Sequence, residues 1–123
     1  MDIKANPAPG FQRNPSRRIH VEPFAGTVTV TSPDAAIASS DKALLLREED
    51  YPPVFYIPFQ DIRFDVLTRT DTATNCPYKG DASYWAIGAA RDVMWAYEHP
   101  YDEMARIKDH GAFYADRVTI ETG

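Results

Sequence analysis

Apolar and polar residues alternate with a period of two along much of this chain, a pattern that predicts strands rather than helices. Thr27-Val28-Thr29-Val30-Thr31 is the clearest stretch, with the valines on one face and the threonines on the other. Ile19 and Val21 flank His20 in a shorter run of the same kind. Ser32-Pro33-Asp34 supplies turn chemistry, so residues 35–39 are expected to return as the hairpin partner of 27–31. Residues 43–47 are apolar but short, a length that fits strand or helix, and strand is the reading adopted. Tyr51-Pro52-Pro53 forces extended backbone into a fourth strand over 54–57, covered on both faces and closed by Pro58. After a turn at 58–61, Ile62, Phe64 and Val66 alternate with Arg63 and Asp65, which predicts a further strand over 62–67.

The second half begins with residues 68–74, polar and rich in side chains that hydrogen-bond their own backbone, and therefore read as a loop. That loop is expected to present Asn75-Cys76-Pro77-Tyr78-Lys79-Gly80-Asp81-Ala82-Ser83-Tyr84-Trp85, the densest concentration of chemically distinctive residues in the chain. A strand over 84–88 then turns through 89–92 into a return strand over 93–97. One short helix is predicted near 101–108, with Pro100 at its start, Asp102 and Glu103 in its first turn, Arg106 and Lys108 towards its end and Gly111 beyond. Residues 112–116 lead into a last strand over 117–121. Residues 1–17 hold Pro7, Pro9, Pro15 and Gly10 without an apolar period and are expected to form an extended arm, leaving 18–123 as a single domain. Arg13, Arg17 and Arg18 read as solvated charges, and Glu48-Glu49-Asp50 as an exposed acidic run. Many short strands and one small helix indicate a mainly β domain of sandwich or barrel type.

Composition narrows the function classes. A chain of 123 residues with 44% hydrophobic and 25% charged residues suits one ordinary globular domain, and no apolar run is long enough to span a bilayer. No membrane role is expected, and without an apolar segment near the start the expected location is cytoplasmic. The net charge of -5 opposes phosphate neutralisation, so no nucleic-acid partner is expected. One cysteine and the scattered histidines His20, His99 and His110 cannot close a tetrahedral site, so neither a metal nor any other cofactor is expected.

The candidate chemistry centres on Cys76 and Lys79. A thiolate is intrinsically nucleophilic, and an ammonium three residues on would favour it. The structural alternative is a cysteine packed as a small hydrophobe, since no histidine is close in sequence. Lys79, between Tyr78 and Gly80, is placed to hold an anionic ligand beside backbone and ring, against the alternative of a solvated lysine. Tyr51, Tyr56, Tyr84, Trp85, Trp95, Tyr97 and Tyr114 form an aromatic surplus, most of it expected in the core and two or three rings in a cleft. Arg117, after Phe113-Tyr114-Ala115-Asp116, reads as a structural ion-pair residue or as a further cleft residue.

The blocks Tyr51-Pro52-Pro53-Val54-Phe55-Tyr56-Ile57-Pro58, Cys76 to Trp85, Trp95-Ala96-Tyr97 and Phe113 to Val118 occur in an order that resembles the family catalogued as domain of unknown function 427. The resemblance covers residues 18–121 and is most specific at Cys76-Pro77-Tyr78-Lys79-Gly80. It implies a β-tent (Mss4-like) fold, in which two antiparallel sheets lean together at one edge. The four-cysteine zinc site of many β-tent proteins does not carry over, because Cys76 stands alone, and Asn75 stands where family members often have histidine. The nucleotidyltransferase label attached to the family finds neither a glycine-rich phosphate cradle nor paired metal-binding carboxylates here. Two functions remain open. One is a binding module holding a small polar or anionic molecule in an aromatic cleft between the sheets, with Tyr78, Lys79, Tyr84, Trp85, Trp95 and Arg117 as its contacts. The other is a small enzyme using Cys76 or Lys79 as reactive group. An enzyme needs a nucleophile and base within reach of each other, whereas a binding module needs only shape and a few polar anchors. Neither the ligand's identity nor an oligomeric state is encoded in these patterns.

Overall fold

Val28 and Val30 are fully buried while Thr29 and Thr31 remain half-covered, the alternation that makes this stretch one strand of a sheet with a single apolar face. The computed structural model describes residues 5–33 and 35–123. Met1 to Lys4 of the expected arm, and Asp34 of the expected Ser32-Pro33-Asp34 turn, lie outside the described residues. The strands are β1 (Ile19–Pro23), β2 (Val28–Thr31), β3 (Ala36–Ser40), β4 (Leu44–Glu48), β5 (Val54–Pro58), β6 (Thr68–Cys76), β7 (Gly80–Ile87), β8 (Ala90–Ala96), β9 (His110–Phe113) and β10 (Thr119–Thr122). They form two antiparallel sheets, a seven-stranded one in the order β1-β4-β5-β9-β8-β7-β6 and a three-stranded one in the order β10-β2-β3. The domain is mainly β, with short helical segments and no long helix.

Each face of the large sheet buries a different cluster. Ile57, Trp85, Ile87, Met94, Ala96 and Phe113 face the small sheet and pack on Val28, Val30 and Ile37. On the opposite face, Leu46, Tyr56, Ala82, Tyr84, Tyr97 and Ala112 form a second cluster with Met104 and Ile107. The last two belong to a kinked 3-10 helix, Asp102–Ile107, which occupies the window expected to be helical. Among the described residues no helix is long and apolar enough to cross a membrane.

Several local expectations are corrected. Residues 62–67 do not form a strand: Ile62 makes a single bridge to Ala38, and Phe64–Val66 is a 3-10 turn. Phe64 instead packs edge-on against Phe59 and Trp85, so the alternation served ring packing rather than a ladder. Residues 68–74, read as a loop, lie in β6, which pairs with β7 across an irregularity between Arg69 and Ala73. As an edge strand exposed over most of its length, β6 carries β-branched threonines but no apolar period, which removes the signal that identifies a half-buried strand. Residues 112–116 are expected only to lead into the last strand, yet Ala112 and Phe113 belong to β9, which sits between β5 and β8. A side-chain carbon on its Gly111 would lie 2.6 Å from Met94 Sδ, so the strand closes only because that residue is glycine. The β7–β8 hairpin is tighter than expected, turning through Gly88 (φ 54°) and Ala89 with Ile87 opposite Ala90.

The expected extended arm is partly helical and docked. Pro9–Arg13 forms a short helix, α1. Gly10 N donates to Pro77 O at 2.8 Å, and Ala8 N donates to Glu103 Oε1 at 2.9 Å. These bonds tie the segment ahead of β1 to the β6–β7 turn and to the 3-10 helix near the end of the chain.

Candidate functional site

The face of the large sheet turned away from the small sheet carries a cavity of about 300 Å³. Its floor comes from strand residues of one parity: Leu46 and Glu48 of β4, Val54 and Tyr56 of β5, Tyr84 of β7 and Trp95 of β8. Cys76 and Lys79 close one side from the β6–β7 turn, while Tyr51, Pro52, Tyr97 and Tyr114 complete the wall. Three residues, Pro77, Tyr78 and Lys79, make that turn, with Cys76 paired to Gly80 across it. Gly80 adopts φ 131°, backbone that suits glycine, and Lys79 O accepts from Tyr101 N at 2.9 Å.

An ion cluster organises the site. Lys79 Nζ donates to Glu48 Oε1 at 2.6 Å, and Arg17 Nη2 donates to Glu48 Oε2 at 2.7 Å. Both oxygens of one carboxylate are therefore engaged by cations, and all three side chains are largely out of water, at 9%, 12% and 14% exposure for Lys79, Glu48 and Arg17. Burial by itself raises the pKa of Glu48, but the hydrogen bonds and charges of Lys79 and Arg17 outweigh it and hold the carboxyl below its ordinary range. The Arg17 guanidinium lies 5.6 Å from the ring centroid of Tyr78 and 5.7 Å from that of Tyr51, and Tyr78 meets Phe11 edge-on. Arg17 Nε is buried without a partner among the described residues. The solvated Arg17 and exposed Glu48 of the sequence reading, and the solvated alternative for Lys79, are corrected together. Each could leave water because the other two came with it.

The remaining wall is phenolic. Burial pushes the Tyr56 and Tyr97 hydroxyls well above the ordinary tyrosine range. Burial and then hydrogen bonding with Tyr84 push Tyr114 up to about 12. Tyr84 Oη is 2.8 Å from Thr74 Oγ1. Trp95 stands edge-on to Tyr56 and at 4.5 Å, tilted, to Tyr114. The cavity thus offers neutral hydroxyls, one ammonium and an indole to whatever enters. Cys76 is a free, half-buried thiol whose Sγ is 3.9 Å from Lys79 Nζ. Glu48 is a poor general base, since its charge is already committed to two cations. Among the described residues no histidine lines the cavity. Nor does any group of three or more His, Cys, Asp or Glu among them stand where it could hold a metal ion.

Of the residues singled out from sequence, Cys76, Lys79, Tyr84 and Trp95 meet around this cavity. Tyr78 lies outside its lining, against Phe11 and Arg17. Trp85 faces the small sheet among Phe59 and Phe64, with Arg69 at 5.1 Å from its ring. Arg117 covers the Tyr114 ring at 4.4 Å while donating to Asp92 O, and it does not line the cavity. The cleft between the sheets is a different hollow, lined among others by Val30, Phe55 and Ile120, and Lys79 is not part of it. Sequence reasoning missed Glu48 and Arg17. The available signal was that an Arg and a Glu, each next to a residue of the same charge, flank β1 and β4, which pair Ile19 with Glu48.

With this geometry in view, the chain belongs to the family described as domain of unknown function (DUF427), whose family model matches residues 20–123. Comparison with curated proteins gives no match.

Proposed function

We propose, from the premise that this is a DUF427 domain with an ion cluster at the edge of a tyrosine-walled cavity, that it is a binding module for a small polar or anionic molecule. The observation that carries the reading is the position of Lys79 Nζ, held on Glu48 inside the aromatic wall. An ammonium has three donors; Glu48 takes one and Cys76 Sγ, at 3.9 Å, a second, so one remains for a ligand oxygen. Around it, the tyrosine hydroxyls donate or accept without changing charge at neutral pH. A volume of about 300 Å³ is at the small end of the ligand-cavity range. No cofactor enters this reading. Saturation-transfer NMR with a panel of small carboxylates, phosphates and polyols tests it: signals seen with the native protein should vanish in a folded Lys79→Met variant. Signals unchanged in that variant would move the binding site elsewhere.

A second reading rests on the 3.9 Å approach of Lys79 Nζ to Cys76 Sγ, which brings an amine and a thiol together at the cavity wall and would make Cys76 or Lys79 the reactive group of a small enzyme. Turnover of any panel member, lost in Cys76→Ala with binding retained, would favour it. A cytoplasmic location goes with either reading, motivated by the ordinary globular composition, and cell fractionation that finds the protein in another compartment would remove it.

A further inference from the structure

The Lys79 cavity shares part of its wall with a second space. Four of its lining residues, Pro52, Val54, Trp95 and Tyr114, also line a hollow of about 430 Å³ that opens between the two sheets. The rest of that hollow is apolar, chiefly Val30, Phe55, Ile57, Phe113 and Ile120. The two spaces are on opposite faces of the seven-stranded sheet and meet where that sheet parts. β5 pairs with β9 only through Ile57 and Pro58, whereas β8 pairs with β9 as far as Met94 opposite Phe113. Beyond Phe113 the chain leaves the sheet, Tyr114 N donating to Val93 O at 3.0 Å, and the start of β5 faces no β9 partner. Trp95 and Tyr114 stand at this parting with their rings in tilted contact, centroids 4.5 Å apart.

We infer that the ligand is an amphiphile: an acceptor head, such as a carboxylate, at Lys79, joined at the Trp95–Tyr114 parting to an apolar chain lying between the sheets. This rests on the binding-module reading and adds the ligand class. A head group alone would leave the larger space, walled almost wholly by hydrocarbon and aromatic carbon, without an occupant. Apolar cavities of this kind take up apolar groups rather than ordered water, which needs polar partners that these walls do not supply. The ring faces of Trp95 and Tyr114 suit the junction, because an aromatic body with a polar edge borders both a wet and a dry compartment.

Calorimetric titration of the whole chain with butanoate, hexanoate and octanoate tests the inference. Affinity should rise about fourfold for each methylene that becomes buried. Ile120→Trp fills the between-sheet hollow without touching the Lys79 cavity, and should flatten the series while leaving butanoate unchanged. Ala115→Phe, at the exposed rim of the same hollow, is the second variant should the first disturb the fold. No measurable octanoate binding, equal affinities across the series in the native protein, or an undiminished slope in both variants would overturn the amphiphile. Lys79→Met separates the two readings. Butanoate lost in that variant, with the slope insensitive to Ile120→Trp, removes the apolar site alone. Butanoate unaffected, with the slope flattened by Ile120→Trp, removes the head site on which this inference rests.

Discussion

Lys79 and Glu48 are 31 positions apart in sequence and joined by a 2.6 Å hydrogen bond between Nζ and Oε1, which fastens the β6–β7 turn to the end of β4. Arg17 holds the other oxygen of the same carboxylate, so Glu48 is the shared anion of the cluster. Its removal should therefore cost more than removal of either cation. In urea unfolding, Glu48→Gln is expected to lose about 3 kcal/mol, the scale of breaking a buried pair, because two buried cations are left facing an amide. Lys79→Met, which leaves Glu48 bonded to Arg17, should lose about 1.5–3 kcal/mol. A Glu48→Gln variant more stable than Lys79→Met would contradict this ordering.

The same carboxylate predicts a pH dependence. Because the folded protein holds Glu48 below its ordinary value of 4.5, the stability it contributes is fully present above that pH and lost as pH falls through the folded value. Glu22, Asp65, Asp92 and Glu98 are shifted in the same direction by their own partners, so the native acid limb is a composite. Subtracting the Glu48→Gln profile isolates the one contribution. The stability difference between native protein and variant should shrink on acidification below about pH 4.5. A difference that stays constant to pH 2.5 would show that folding leaves the ionisation of Glu48 where it is in the unfolded chain.

The phenols act at the other end of the scale. Tyr56, Tyr97 and Tyr114 have raised folded values, so their contribution is complete below the ordinary tyrosine value of 10.0 and lost as pH rises through the folded ones. Ultraviolet titration of the native protein should show fewer than the full seven tyrosines ionising near pH 10, with the rest appearing only on unfolding. All seven ionising together near pH 10 would place these rings in water.

Docking of the arm depends on Gly10. A side-chain carbon there would stand 2.8 Å from the Tyr78 ring and 2.9 Å from Pro77 O, so Gly10→Val should lift α1 from the β6–β7 turn. Tryptic cleavage after Arg13 and Arg17 is expected to accelerate, with the sheets intact by circular dichroism. Unchanged cleavage rates would mean that the helix is held without this contact.

Gly111→Ala should lose about 1–3 kcal/mol by overpacking, since the added carbon meets Met94 Sδ and Ile62 Cδ1 between the sheets. Combining it with Met94→Ala should recover part of the loss. No recovery would mean that backbone, and not the methionine, takes up the strain.

The local pattern determined a good deal of this molecule by itself. The β2–β3 hairpin, the β7–β8 hairpin and the mainly β class were legible from β-branched and aromatic runs punctuated by Gly or Pro, the strand after Pro52-Pro53 from its prolines and unbroken apolar run, and the two sheets only through the family resemblance. The Cys76 to Trp85 block, singled out for its composition, contributes Cys76, Lys79 and Tyr84 to the cavity lining. What only the tertiary structure decided lacked a local signature. β6 lies on an edge where both faces meet water, and β9 is short and built around a glycine, so neither shows a period. Glu48 and Arg17 read as solvated charges because the burial of a charge is set by its partners, and those are brought to it by β-sheet register and a docked arm rather than by neighbours in the chain. Tyr84 and Trp85 differ by one position, yet one faces the Lys79 cavity and the other the small sheet. The period of a strand states that adjacent residues point apart, but only the packing of the sheets determines which of them meets the cavity.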